Sequence, residues 1–484
     1  METCQYKAVN VKDDEDKNDA YKRVGKPFLR QLLVCSGVWT SYFISGLSFG
    51  APTVLIPRER DSENSTIVIT DEMASWLSSV HGFSALPWVF ILPVLTQYAG
   101  RKLPFVLVCV NLLVGFIVFY CSTTAVHVLI SELIQGLSFA CNMTVSIIIV
   151  TEYTSPQYRG IFLTMKSATF FWGIWAANAI GTFSHWRHIG IFAFMCCTYT
   201  ATSILWPESP YWLATKGRFK ECTRAHHWLK GSSEEAEREL ENLINSQQTY
   251  LANISERKVR PLRDRLMSFI KTITTKEFYK PILLSTAMMA TYHFSGKLVC
   301  SMYAVELLKR ITKSDYTAYI GMLILDAVTV CGMYFGCFLS RILKRRTLLF
   351  TSSFTGILFL FLIASYLYLV ELEIVSENSI ISITLLTSFS VTISCGPMIL
   401  SSSIYGELIP LRFKSISILI TALVSYSIMG IILKISPYIF KAFGLHGAFF
   451  FYGVSATIFT LILFKYLPET KDKTLQEIEE ILKG

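Results

Sequence analysis

Apolar and polar residues come in long blocks along this chain. Twelve stretches are predominantly apolar, near 31–55, 76–96, 103–122, 127–150, 160–183, 188–206, 281–307, 317–340, 347–371, 380–406, 414–440 and 446–467. Each is long enough to cross the ~30 Å hydrocarbon core of a bilayer as a helix rising 1.5 Å per residue. Runs such as Leu103-Pro-Phe-Val-Leu-Val-Cys-Val110 lack the period of two that a membrane barrel needs. The pattern predicts an all-α membrane protein with twelve transmembrane helices. Polar blocks divide it into a tail (1–30), a six-helix bundle (31–206), a linker (207–280), a second six-helix bundle (281–467) and a tail (468–484). The linker has helical patterning, as in Glu234-Glu-Ala-Glu-Arg-Glu-Leu240.

Composition agrees: 52% of the 484 residues are hydrophobic and 16% charged, with mean hydropathy +0.45. Disordered, collagen-like, coiled-coil and disulfide-scaffold classes are excluded. The net charge of +9 changes meaning once its positions are counted. Of 44 Lys and Arg, 33 lie in the two tails, the linker and the loops on that side, and 7 in the loops of the other side. The remaining four, Lys166, Lys297, Lys434 and Lys465, fall inside predicted spans. This asymmetry predicts cytoplasmic termini and a cytoplasmic linker. The positive balance is then topology within lipid, and no nucleic-acid partner is expected. The acidic Asp13-Asp14-Glu15-Asp16 tail does not resemble a signal peptide.

Asn64-Ser65-Thr66, in the first outer loop, is a candidate N-glycosylation site. Two further matches, Asn142-Met-Thr144 and Asn253-Ile-Ser255, lie in a span and in the linker. The cysteines form no CxxC pair, and His226-His227 near Cys222 is a poor zinc set, so no metal or cofactor is expected. Gly46-Leu-Ser48-Phe-Gly50 matches a nucleophile elbow in letters, but that elbow requires a strand-to-helix turn. No phosphate loop of the Walker type occurs. Neither an enzyme nor an ATP-driven pump is expected.

The two halves repeat one another. Glu152-Tyr-Thr-Ser-Pro-Gln-Tyr-Arg159 follows the fourth span and Glu407-Leu-Ile-Pro-Leu-Arg-Phe-Lys414 the tenth, each with a carboxylate seven residues before a cation. Gly100-Arg101-Lys102 follows the second span and Lys344-Arg345-Arg346 the eighth. Equivalent motifs after equivalent spans indicate two homologous bundles about a central pathway.

With Pro207-Glu208-Ser209-Pro210 after span six and Pro468-Glu469-Thr470 opening the last tail, the chain resembles the sugar porters of the major facilitator superfamily. Within them it is similar to the insect facilitated trehalose transporter branch. Ser75-Trp76, Trp186-Arg187, Ser295-Gly296 and Gly406-Glu407 with Pro410 add to the likeness, which covers about 30–480. The resemblance implies the major facilitator fold and a plasma-membrane carrier of sugars or related small polar solutes. Such a carrier works by alternating access, through facilitated diffusion or with a proton as coupling ion. It also implies a charge network at the cytoplasmic helix ends, with Arg101, Glu152, Arg159 and Glu208 in the first half and Arg345, Glu407, Lys414 and Glu469 in the second. Such a network serves as a gate if it pairs when shut and hydrates when open. Gln97, Pro93 and Arg341 depart from the family pattern there, and Glu132 replaces an arginine.

Carried over position by position, the family's sugar ligands fall on Ser167, on Tyr292-His293, on Leu298, on Thr329, on Ser402 and on Ser425-Tyr426. None keeps the family's residue type. Losing several amides disfavours a simple hexose, while hydroxyls, an imidazole and a phenol remain for some polar ligand. Two of the in-span lysines adjoin this set, Lys166 beside Ser167 and Lys297 beside Leu298, with Glu132 and Asp326 as candidate partners. An intramembrane cation faces a cavity or a carboxylate, so Lys166 and Lys297 join the candidate binding residues and an anionic solute is an alternative cargo. Lys465 reads as a snorkelling residue. The rival function is a non-transporting nutrient sensor or adaptor.

Overall fold

The computed structural model describes residues 9–61, 67–256, 274–312, 314–408, 414–471 and 481. The Asn64 sequon and the side chains of Ser402, Glu407 and Lys414 lie outside the described residues. Among the described residues all regular structure is helical, and nine helical stretches are long and apolar enough to cross a membrane. One of them, Ile416–Tyr466, holds two predicted spans, divided at Gly444, whose φ is 68° and ψ 179°. Of the twelve predicted spans, the fifth and seventh fall short of that measure. The fifth, Pro156–Phe183, carries Arg159, Lys166, Ser167, Thr169 and Asn178. The seventh is divided into Lys276–Phe294, Lys297–Met302 and Ala304–Thr312.

The first helix runs Val9–Asp61 and the second Asp71–Ala99, where the Thr70 hydroxyl caps the Met73 N–H at 3.2 Å. Lys102–Tyr120 forms the third span, and the fourth is interrupted at Thr144 between Ala125–Met143 and Val145–Tyr153. The sixth is His188–Thr200, tightening to a 3₁₀ turn over Ala201–Leu205. Asp315–Ile342 and Arg345–Glu371 are the eighth and ninth. The tenth passes from Ser379–Ile393 through a π-turn, Ser394–Met398, to Ile399–Leu408. Breaks inside a membrane free backbone groups, so they are tolerated only within protein or beside a cavity. The residues at these breaks, Thr144, Ser295 and Ser394, are indeed buried.

The linker folds into helices Pro210–Thr215, Phe219–Lys230 and Glu234–Glu256 over a small core of Trp212, Leu213, Cys222, Ala225, Leu240 and Leu243. Gln31 ties it to the first bundle, donating to Ser155 Oγ at 3.1 Å and to Leu229 O at 3.3 Å. Within the halves, span one packs on five, two and three on four, and nine on ten. Between the halves, span two packs along the Lys414–Tyr466 helix, five against eight, and one against the end of seven. Gly46 and Gly50 of the apparent elbow lie inside the first helix and let its backbone approach span five.

Candidate functional site

The end of the bundle that carries Arg101, Lys102, Arg345 and Arg346 is called here the basic end, and the opposite one the far end. At the basic end Arg101 grips Glu152 with two bonds, Nε to Oε2 at 2.9 Å and Nη2 to Oε1 at 2.8 Å. Both side chains are nearly buried, at 15% and 13% exposure. Arg101 Nη1 also donates to Thr96 O at 3.0 Å, and the Ser209 hydroxyl donates to Glu152 Oε2.

Glu208 takes another role than the network predicts. Its carboxylate accepts the backbone N–H of Arg101 at 2.8 Å and of Lys102 at 3.3 Å, where span three begins, and that of Ser209 at 2.8 Å. A helix N-terminus has free N–H groups and positive polarity, so the carboxylate is an anion cap. Arg159 makes no bond to that network among the described residues: its Nε is buried without a hydrogen-bond partner. Arg159 lies in electrostatic range of Lys230, whose ammonium is pushed down from its ordinary range by burial, against the pull of Glu239, with Arg159 adding to the fall.

The second half repeats the cap. Glu469 accepts the N–H of Arg345 at 3.2 Å and of Arg346 at 3.1 Å where span nine begins, and those of Thr470 and Lys471 at 3.1 and 2.9 Å. Lys471 Nζ closes the end of span eight by donating to Arg341 O at 2.8 Å. The equivalence of Glu208 and Glu469 is thus one of geometry as well as letters.

Gly100 makes the first cap possible. Its φ is 92°, and a Cβ there would stand 2.2 Å from Glu208 Oε2. Gly100→Ala is therefore expected to cost about 1–3 kcal/mol from backbone strain alone and to displace Glu208. The thermal midpoint in detergent should fall measurably; an unchanged midpoint would contradict this role.

In the middle of the bundle the structure joins some of the expected binding residues and separates others. His293 Nε2 and Ser425 Oγ are 2.9 Å apart, linking span seven to span eleven. Tyr292 lies beside that imidazole, ring centroids 5.1 Å apart. Tyr426 reaches from span eleven into the other half, its hydroxyl donating to Phe139 O on span four. Lys166 lies 4.6 Å above the Tyr42 ring, with Ser167 half-buried next to it and making no hydrogen bond among the described residues. Lys297 Nζ donates to Ser390 Oγ of span ten at 2.9 Å. Leu298, by contrast, is part of the apolar core. Thr329 donates its hydroxyl to Leu325 O on its own helix at 2.7 Å, which removes its proton from ligand recognition.

Asp326 has partners that its sequence position does not announce: Asn178 Nδ2 at 2.6 Å from span five and Ser301 Oγ at 3.2 Å from span seven. Lys297 is in electrostatic range but not in contact. Glu132 pairs with none of the lysines; among the described residues both its oxygens are buried without a hydrogen-bond partner. Lys434 rests 3.8 Å over the Trp76 ring, and Lys465 is exposed at the end of the last span.

The far end is where the halves hold each other, in part through the Ser75-Trp76 pair and the in-span Lys434. Ser75 Oγ donates to Lys434 O at 2.7 Å, Lys434 covers Trp76, and Thr53 Oγ1 points at Met302 Sδ across 3.7 Å. Below them spans two and eleven touch at Gly82 and Gly430, and Asn178 meets Asp326. Above them opens a cavity of about 370 Å³, lined by residues that include Pro52, Thr53, Tyr303, Glu306, Tyr438 and Lys441. The far end is closed beneath this vestibule. Asn178, an amide among apolar neighbours, is a further signal legible in the sequence beside Asp326, Lys434 and Ser75-Trp76. No group of three or more metal-binding side chains occurs among the described residues.

A profile described as sugar (and other) transporter matches residues 39–482. The chain is similar to the facilitated trehalose transporter Tret1 of Apis mellifera ligustica, at 22% identity over 98% of this chain and 94% of that one. Among solved structures it resembles the proton:xylose symporter XylE bound to 6-bromo-6-deoxy-D-glucose, with TM-score 0.72 and 14% identity over 95% of this chain and 100% of that one. It also resembles the partially occluded inward-open form of the xylose transporter XylE from E. coli, with TM-score 0.71 and 13% identity over 93% and 100%. These likenesses identify the fold as that of the major facilitator superfamily.

Proposed function

The chain belongs to the sugar (and other) transporter family, and from that premise we propose that it carries sugars or related small polar solutes by alternating access between its two six-helix halves. The observation that carries this reading is where the buried polar groups lie. His293, Ser425 and Tyr426 of one half and Lys166 and Tyr42 of the other are buried or half-buried deep in the spans. The Tyr426 hydroxyl already crosses from half to half. Hydroxyls, an imidazole and phenols suit a polyhydroxylated ligand.

The contacts that shut the far end suit a reversible gate. Apart from the Gly82–Gly430 packing these are hydrogen bonds and ring contacts, and a net hydrogen bond contributes about 0.5–1.5 kcal/mol, or about 1.5–3 kcal/mol where a carboxylate accepts. A handful sums to a few kcal/mol, the range in which a bound solute can shift the balance between two states. The Arg101–Glu152 and Glu208 contacts keep the first half rigid at the basic end while it rocks against the second. The 370 Å³ vestibule is then the antechamber on the far side.

Reconstituted in liposomes, the protein should exchange at least one of glucose, trehalose, a polyol or a sugar acid. Binding of one of them without flux would favour a sensor instead. Uptake that rises when the far side is acidified marks proton symport, and uptake indifferent to pH marks facilitated diffusion. The charge asymmetry supports a cytoplasmic basic end, and the likeness to insect sugar carriers supports the plasma membrane. Asn64 is then extracellular and glycosylated. Glycosidase treatment of protein from insect cells should shift its mobility, and Asn64→Gln should abolish the shift. A shift that persists in Asn64→Gln would reverse the assignment of the site.

A further inference from the structure

We propose that the central site takes a solute with a negative charge as well as hydroxyls, a sugar acid or similar hydroxy acid, whose anion is held by Lys166. This deepens the carrier reading and rests on it. The four in-span lysines differ in what neutralises them. Lys465 is exposed at the basic end. Lys434 lies 3.8 Å over Trp76 near the far end, with Glu72 in electrostatic range. Lys297 donates to Ser390 and has Asp326 in range. Lys166 has no carboxylate in range, only the Cys141 thiol. It is 6% exposed, and among the described residues its Nζ makes no hydrogen bond and pairs with no carboxylate. The Tyr42 ring 4.6 Å away is its contact. A ring face returns only part of what an ammonium loses on leaving water.

A second unsatisfied group lies around the same tyrosine. The Tyr42 hydroxyl donates to the backbone oxygen of Asn142. The side-chain Oδ1 of Asn142 is buried without a partner among the described residues, and the residue is 6% exposed. Asn142 stands two residues before the break in span four at Thr144. Three residues earlier on that span, Phe139 O receives the Tyr426 hydroxyl from the other half. Lys166 and Asn142 therefore both touch Tyr42 close to where the halves meet, and each carries a polar group without a hydrogen bond among the described residues. A carboxylate would satisfy the first and a hydroxyl of the same molecule the second. Neutral hexoses would leave the ammonium without its counter-charge, and simple carboxylates without hydroxyls would leave the amide oxygen unmet.

The test is competition in proteoliposomes made with the full chain, with D-glucuronate and D-glucose as the probes against counterflow of each labelled sugar. The wild type should prefer glucuronate by about tenfold or more, as expected for a desolvated charge pair. Lys166→Met should lose that preference, and Lys166→Arg should keep most of it. Should Lys166→Met fail to give a monodisperse protein with a normal thermal midpoint, the wild-type and Lys166→Arg selectivities decide. A wild type that prefers glucose or trehalose, or a glucuronate preference surviving in Lys166→Met, overturns the anion site and leaves the carrier standing. Glucuronate binding that depends on Lys166, without flux of any solute, supports the site and overturns the carrier.

Discussion

Gly82→Leu should abolish transport and leave the far end open. Spans two and eleven approach so closely there that a Cβ on Gly82 would lie 2.6 Å from both the N and Cα of Gly430, and 2.9 Å from Tyr426 O. These are backbone atoms of a long helix, so no side-chain rotation can relieve the clash. Leucine adds three more carbons in the same place. Overpacking of a close interface costs about 1–3 kcal/mol, and more where backbone must move. Every 1.4 kcal/mol is a factor of ten in an equilibrium, so the closed state should fall by about tenfold to a hundredfold or more. Because the clash lies between the halves, each half keeps its own packing and the protein should still fold. Flux should drop to background while a thiol at Thr53→Cys becomes more reactive from the far side. Wild-type flux in Gly82→Leu would mean that the spans never close in this way during the cycle.

Arg101→Ala should reduce transport by at least about tenfold and lower the thermal midpoint. The guanidinium makes both of its forked bonds to one carboxylate, in a place where each side chain is about one-seventh exposed. Truncating one partner of a buried pair costs about 3–5 kcal/mol, because the other charge is left behind. The partial exposure and the Ser209 hydroxyl put this case at the lower end. Spans two and four would lose the tie that fixes them to each other at the basic end. Arg101→Ala combined with Glu152→Gln should recover much of the stability, since the stranded charge is then gone. If the single and double variants are equally destabilised, the pairing contributes nothing specific.

The division of the chain into spans is legible in the letters because lipid demands long, uniformly apolar helices. Ser295-Gly296 also announces the break in span seven, where Gly296 takes φ 74°. The interruption at Thr144 carries no such mark, and it matters as much. Glu208 and Glu469 were visible as acids in repeated motifs, but their partners are backbone N–H groups, which have no letter. The sequence therefore suggested ion pairs where the structure has helix caps. Asn178 and Asp326 could each be seen as polar intruders, yet their pairing depends on the register of span five against span eight across the two halves. Lys166 and Lys297 look alike in the chain. They part company only when Ser390 and Asp326 are placed near one and Tyr42 beneath the other. Thr329, a candidate by position, turns its hydroxyl to its own helix, as threonine in an apolar helix often does.

A carrier of this kind opens its two ends in alternation. Paired spin labels report both ends at once, one pair at Glu72 and Lys441 on the far end and another at Tyr98 and Ile342 on the basic end, all exposed positions. Distances measured in liposomes should fall into two populations at each end. Whatever shifts the far-end pair toward the longer distance should shift the basic-end pair toward the shorter one, and Gly82→Leu should hold the far-end pair long. A single unvarying distance at both ends, or ends that lengthen together, would contradict alternating access in this protein.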